Sequence, residues 1–217
     1  MLLRTSAGEA VEQELEGLSP GTLGEDLSKK GRDESGLTGT NLAYGELSAG
    51  HIHTLIQRIK HHHSGLPEDG SGVLVDLGSG TGKALLAGSD AHAFKRAWGV
   101  ELVESLHLQA LTNLKHWQGR DRATTAVDFL QGDLSEVTWW QDATVVIIHA
   151  TVFDPDLMAH IQWRAEQCPV GVWFLVVTKE LRCGPITGIE TVEMHRCLAT
   201  WGEATVYLQR RVDMEEG

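Results

Sequence analysis

The chain has 217 residues, with 18 Lys and Arg against 30 Asp and Glu and a formal net charge of −12. Its hydrophobic content of 41% and charged content of 22% are globular values, and a chain of this length buries a core without disulfide or metal staples. The acidic balance excludes a broad basic surface for nucleic acid phosphates, no apolar run reaches the ~18 residues of a membrane span, and three cysteines (Cys168, Cys183, Cys197) are too few for a secreted disulfide framework.

Residues 1–40 hold eight acids, four bases, many Gly and Ser and no aromatic residue. Their leucines keep no helical or strand period, so composition predicts a disordered acidic arm. No apolar signal core follows Met1-Leu2-Leu3-Arg4, and the expected compartment is intracellular. A domain is expected over 41–212, then an acidic tail at 213–217. Leu47 to Lys60 carries apolar residues at helical spacing (Ile52, Leu55, Ile56, Ile59) and runs into a Gly/Pro/Ser loop. Val73–Leu77 is a short apolar run closed by glycines, as in a buried parallel strand. A helix from Lys83, a strand at Ala97–Val100, an amphipathic helix at Glu104–Trp117 and a strand at Ala126–Leu130 follow. Next come a fully apolar strand at Ala143–His149, a helix at Asp156–Glu166 entered through Asp154-Pro155, and a strand at Gly171–Thr178. Two alternating strands, Glu190–His195 and Ala204–Arg210, close the chain.

This alternation predicts an α/β, Rossmann-like fold with a mostly parallel sheet of about seven strands, helices on both faces and an antiparallel hairpin at the C-terminal edge. Ligands in such sheets bind beyond the carboxyl ends of the strands, where strand order reverses.

The strongest local signal is Asp76-Leu77-Gly78-Ser79-Gly80-Thr81-Gly82-Lys83, between a strand and a helix. Ala84 follows Lys83, so the string is not a phosphate loop. Its third glycine comes one position too early for the dinucleotide fingerprint. A Gly-x-Gly-x-Gly loop after an acidic strand residue suits S-adenosylmethionine (SAM), which has no phosphate to cradle. Its cationic amino and sulfonium groups favour a carboxylate such as Asp76. Glu101 ends the next strand and can accept both ribose hydroxyls, as the analogous acid does for a nicotinamide dinucleotide. Asp133 follows the third strand and can accept from the adenine amino group, with Leu134 packed on the ring. A turn or N-cap role for Asp133 is the plainer alternative.

Together, Asn41-Leu42-Ala43-Tyr44-Gly45-Glu46-Leu47, the Val75–Lys83 string, Gly99-Val100-Glu101 and Gly132-Asp133-Leu134 resemble the disruptor-of-telomeric-silencing (Dot) family. These are non-SET histone lysine methyltransferases with the class I SAM-dependent fold. The resemblance covers roughly residues 41–182. It implies a loop of Tyr44, Gly45 and Glu46 over the methionine end of SAM. Asp76, Gly78, Ser79, Gly80, Gly82 and Lys83 would form the glycine loop, Glu101 would hold the ribose, and Asp133 and Leu134 the adenine. Tyr44 and Phe153 would wall the acceptor channel. Apart from the resemblance, His149 ends the fourth strand where chemistry is expected: as a base it would take a proton from a lysine ammonium, and a strand-end histidine bonded to backbone is the equal alternative. In the family's fourth-strand motif, here His149-Ala150-Thr151-Val152-Phe153, only Phe153 matches and both asparagines are missing. The expected partner is a lysine-bearing protein such as a histone, which would imply the nucleus, and otherwise the cytoplasm. A non-histone or small-molecule acceptor, and a non-catalytic SAM-binding module, stay open, as does oligomeric state. No metal site is expected: His51, His53 and His61–His63 lack an acid or cysteine cluster to complete one. Most of the seven tryptophans are expected in the core, with Trp139-Trp140 a candidate exposed patch.

Overall fold

A computed structural model describes residues 5–36, 44–118 and 125–213. Asn41, Leu42 and Ala43, and tail residues 214–217, lie outside the described residues. The strands are β1 Val73–Leu77, β2 Arg96–Glu101, β3 Ala126–Gln131, β4 Val145–Ile148, β5 Trp173–Val177, β6 Ile189–Ala199 and β7 Gly202–Arg211. They form one sheet in the order β3-β2-β1-β4-β5-β7-β6. The first five pair in parallel, and β7 runs antiparallel to both β5 and β6. The long hairpin is the antiparallel edge that the sequence suggests, with each strand extended at both ends.

Burial explains the central strands. Every residue of β1, β4 and β5 is buried, as both faces are covered. On one face, Ile52, Leu55 and Ile59 of α3 (Ala49–His63), Leu85 and Leu86 of α4 (Lys83–Ala91) and Leu114 of α5 (Glu104–Gln118) share a core with Leu74, Val145 and Leu175. On the other face, Ile161 and Ala165 of α6 (Pro155–Ala165) join Trp139, Val75, Val146 and Phe174. Trp139 is fully buried and stacks edge-on against half-buried Trp140. The expected exposed tryptophan patch is therefore largely core, filling the sheet face that no helix between β3 and β4 covers.

Residues 6–35 depart from the sequence expectation. They form α1 (Ser6–Leu18) and α2 (Gly21–Ser35), not a disordered arm. Thr5 caps α1 by accepting from Gly8 N–H. Val11 and Leu15, one turn apart, are buried in the α3/α4 core. The remaining anchors are polar. Glu12 accepts from Ser48 Oγ and Gly50 N–H, Asn113 Nδ2 donates to Ser19 Oγ, and Ser105 Oγ donates to the Leu27 carbonyl. These apolar anchors, joined by half-buried Leu18, and several hydrogen bonds offset the ordering entropy, a balance that composition does not display.

Candidate functional site

Sheet register assembles the site. Leu77 pairs with Val100 and with Ile148, and Glu101 pairs with Gln131. The residues that follow β1, β3 and β4, with the last residue of β2, therefore emerge along one edge: Gly78, Gly132, His149 and Glu101. This edge includes the β1/β4 junction, where strand order reverses. A cavity of about 760 Å³ lies there, within the size range of cofactor clefts. Tyr44, Gly45, Gly78, Gly80, Glu101, Asp133, Leu134, His149 and Phe153 all line it. These residues come from five separated stretches of chain.

The glycine loop is fastened before any ligand arrives. Gly78 and Ser79 N–H both donate to the Val100 carbonyl. Gly80 has φ +52°, and its N–H donates to Glu101 Oε2 at 2.9 Å. A Cβ on Gly80 would fall 2.7 Å from the Tyr44 ring, so glycine alone suits both that φ and this close approach. Glu101 Oε1 accepts from Val103 N–H at 2.8 Å, at the start of α5. Backbone donors thus fix the carboxylate from two sides while the residue lines the cleft. Burial raises the Glu101 carboxyl above its ordinary value, against the pull of the backbone donors.

Asp76 is fully buried, and neither carboxyl oxygen has a hydrogen-bond partner. Burial first, and the Glu101 charge second, push it up to about 8. Unpartnered buried oxygens cost about 1–3 kcal/mol each, and a cationic ligand would relieve that cost. Asp133 Oδ1 accepts from Ser135 N–H at 2.8 Å, the turn role that the sequence left as its alternative. Its second oxygen is still available, and Leu134 is buried beside it. This donor and acceptor set fits SAM: a backbone-fixed carboxylate for the ribose and an acid with an apolar neighbour for the adenine line the cavity, and the orphaned Asp76 carboxyl lies just behind its wall, two residues before Gly78.

Other expected residues sit elsewhere. Lys83 Nζ is buried and turned away from the main cavity, donating to Glu16 Oε1 at 2.7 Å and the Ser19 carbonyl at 2.8 Å, and pairing with Glu46. It reaches only a side cavity of about 30 Å³, which Glu46 and Ser79 also line. Helix α1, invisible to composition, supplies its partners. The Glu46 carboxylate accepts from Tyr44 Oη and from Thr81 Oγ1. Burial raises its carboxyl, while Lys83 and Thr81 draw it down. Gly82 backs onto Phe129 and Ala110, so it serves the strand–helix packing.

At the acceptor end, buried Phe153 follows a short 3-10 turn, Ala150–Val152. The Phe153 carbonyl accepts from Lys179 Nζ, and Thr151 Oγ1 bonds Thr178 Oγ1 at 2.9 Å. His149 Nδ1 is buried without a partner, and burial pushes the imidazole down to about 4. A ring that weakly basic does not take a proton from a lysine ammonium near ~10.4, since the transfer is uphill by ~9 kcal/mol. His149 therefore faces the cleft as a neutral ring, able to accept a hydrogen bond. Sequence reasoning missed Trp201, at the tip of the β6–β7 hairpin, which packs on Gly45 and lines the cavity, and His160 and Asp156 of α6, which also line it. Trp201 is far in sequence from every motif, and Asp156 and His160 read as ordinary polar positions of a surface helix.

A family model described as histone methylation protein DOT1 matches residues 36–201. No curated protein matches the chain in sequence. Among solved structures, the mitomycin 7-O-methyltransferase superimposes with a TM-score of 0.51 at 18% identity, covering 75% of this chain and 55% of that one. The chain therefore spans about half the length of that enzyme. Magnesium protoporphyrin IX methyltransferase from Synechocystis PCC 6803 with bound SAM gives 0.56 at 12% identity, covering 75% and 79%. A SAM-dependent methyltransferase from Geobacter sulfurreducens with S-adenosyl-L-homocysteine (SAH) gives 0.50 at 19% identity, covering 68% and 66%. At such identities the likeness establishes the Rossmann-like methyltransferase fold.

Proposed function

The chain belongs to the DOT1 histone methylation family and is a SAM-dependent methyltransferase by family and fold, and from that premise we propose that it methylates the side-chain amine of a protein lysine. The observation that carries the proposal is the one cleft that joins Glu101, Asp133 and Leu134 to an aromatic and acidic acceptor end. When bound, SAM supplies an electrophilic methyl group on a sulfonium.

The protein's own residues bind, orient and exclude water. Asp76 would accept from the SAM amino group, Glu101 from the ribose and Asp133 from the adenine. Tyr44, packed on Gly80, and Phe153 wall the space beside them. A lysine stem between Phe153 and Trp201 gains apolar contact, and the ammonium gains cation–π attraction of ~0.5–2 kcal/mol. Asp154 and Asp156 at the start of α6 line the same end and favour a cation. Deeper in the cleft, desolvation lowers the amine's proton affinity, so the ammonium yields its proton to solvent water on entry and the neutral amine is left as nucleophile. Neutral His149 can then accept the amine's remaining N–H. The net charge of −12 favours a basic acceptor such as a histone, and hence the nucleus.

The test is transfer of tritiated methyl from SAM into nucleosomes and cell extract, with the labelled residue identified. Label on a protein lysine that is lost in Phe153→Ala, with SAH affinity retained, supports the proposal. Label confined to RNA or small molecules overturns it.

A further inference from the structure

We infer that helices α1 and α2 are a working part of the cofactor cleft, with Lys83 and Gly24 as positioning residues for the Tyr44–Glu46 loop that walls it. The inference rests on the reading of the cleft as a SAM site. Tyr44 lies in the cavity wall, and its contacts reach from that wall to α2. One side of its ring rests on Gly80, and another on Gly24, in the first turn of α2. A Cβ on Gly24 would overlap the ring outright. Its hydroxyl bonds Glu46 and Thr81, so the ring's position depends on Glu46 staying in place.

Glu46 depends in turn on Lys83. The buried ammonium joins Glu46 to Glu16 and to the Ser19 carbonyl, where α1 ends. Asn113 Nδ2 ties the same corner together, donating to Ser19 Oγ at 2.8 Å and to the Thr81 carbonyl at 2.9 Å. The N-terminal helices therefore touch the glycine loop and the Tyr44 loop at once, through one cation and one glycine. Neither Lys83 nor Gly24 lines the main cavity. Both act on cofactor through Tyr44 and Glu46.

Two substitutions in the full chain separate this role from plain stability. Gly24→Ala favours the helix, because alanine is the better helix former, yet it displaces Tyr44. The expected result is a chain still folded at the assay temperature, by circular dichroism, with SAH binding weakened at least about tenfold. Lys83→Met removes the cation but keeps the shape of the stem. Calorimetry well below its melting temperature, with folding checked by circular dichroism, should show a similar loss. Lys83→Arg, which keeps a cation between Glu16 and Glu46, should recover most of the affinity. SAH affinities within about twofold of wild type in folded Gly24→Ala and Lys83→Met overturn the inference while leaving the cofactor reading intact. A wild-type chain that binds neither SAM nor SAH overturns both.

Discussion

Asp76 turns cofactor binding into a pH experiment. In the free chain its carboxyl is sealed from solvent, unpartnered, and held up to about 8. At pH 7 a group titrating near 8 is roughly nine-tenths protonated. A cationic amino group placed beside it favours the carboxylate, so binding should expel close to ~0.9 of a proton at pH 7. Affinity should accordingly climb with pH, by up to about tenfold per unit, and level off near 8. Titration of SAH in two buffers of different ionisation enthalpy reads the released proton directly. Asp76→Asn should abolish the release and weaken SAH at least about tenfold. Stability should move the other way. The folded value lies above the unfolded one, so the stabilising contribution is whole below about pH 4 and drains as pH rises through about 8. At pH 7 the unfolded wild-type chain gains up to about 4 kcal/mol by ionising Asp76, at ~1.4 kcal/mol per pH unit. Asp76→Asn escapes that loss, so its free chain should melt higher than wild type at pH 7, with the gap closing toward pH 4. No proton release, with affinity flat from pH 6 to 8.5, would refute the placement of a cation beside Asp76.

Glu101→Ala removes the acceptor of the Gly80 and Val103 N–H groups as well as the ribose site; SAH affinity should fall at least about tenfold and the melt should drop too, and an unchanged dissociation constant would put the ribose elsewhere. Glu193, far from the cleft, is worked upward by burial, but bonds from Arg58, His63 and His195 hold it down at about 2. Its stabilisation is present above the ordinary carboxylate value of ~4.3 and lost as pH falls toward about 2; Glu193→Gln should cost roughly 1–2 kcal/mol at pH 7 and little at pH 2, as read by denaturant titration. A chain beginning at Tyr44 loses the burial of Val11 and Leu15, about 1.5–3 kcal/mol each, so its melting temperature should fall by at least about 5 °C; an equal melt would show that α1 contributes nothing to the core.

The strands and glycine loop were legible because their signals are local. Val73–Leu77 announces a buried strand by five apolar or buried positions before a glycine, and Glu101 and Asp133 declare themselves by closing strands. Parallel pairing then does the rest, since aligned registers bring strand ends to one edge whatever the intervening sequence. Helices α1 and α2 were not legible, because what orders them is remote. Val11, Leu15 and Leu18 make only a short helical stripe in an acidic, Gly- and Ser-rich stretch, and Glu12, Glu16 and Ser19 look like solvated helix residues until Ser48, Lys83 and Asn113 are placed against them.

Lys83 shows how far such remote partners can redirect a motif. From the sequence it is the last residue of the glycine loop, and a loop that meets a ligand invites the reading that its cation does too. An ammonium on four methylenes, however, goes where buried charge needs it most. Glu46 is sunk beneath Tyr44 with two hydroxyls already bonded to it, and an ionised carboxylate in that position is costly without a counter-ion. Lys83 is the cation beside it, with Glu16 balancing the second side. The motif's lysine has thus become part of the wall's foundation, while the carboxyl left truly alone, Asp76, is the one that a cationic ligand would complete.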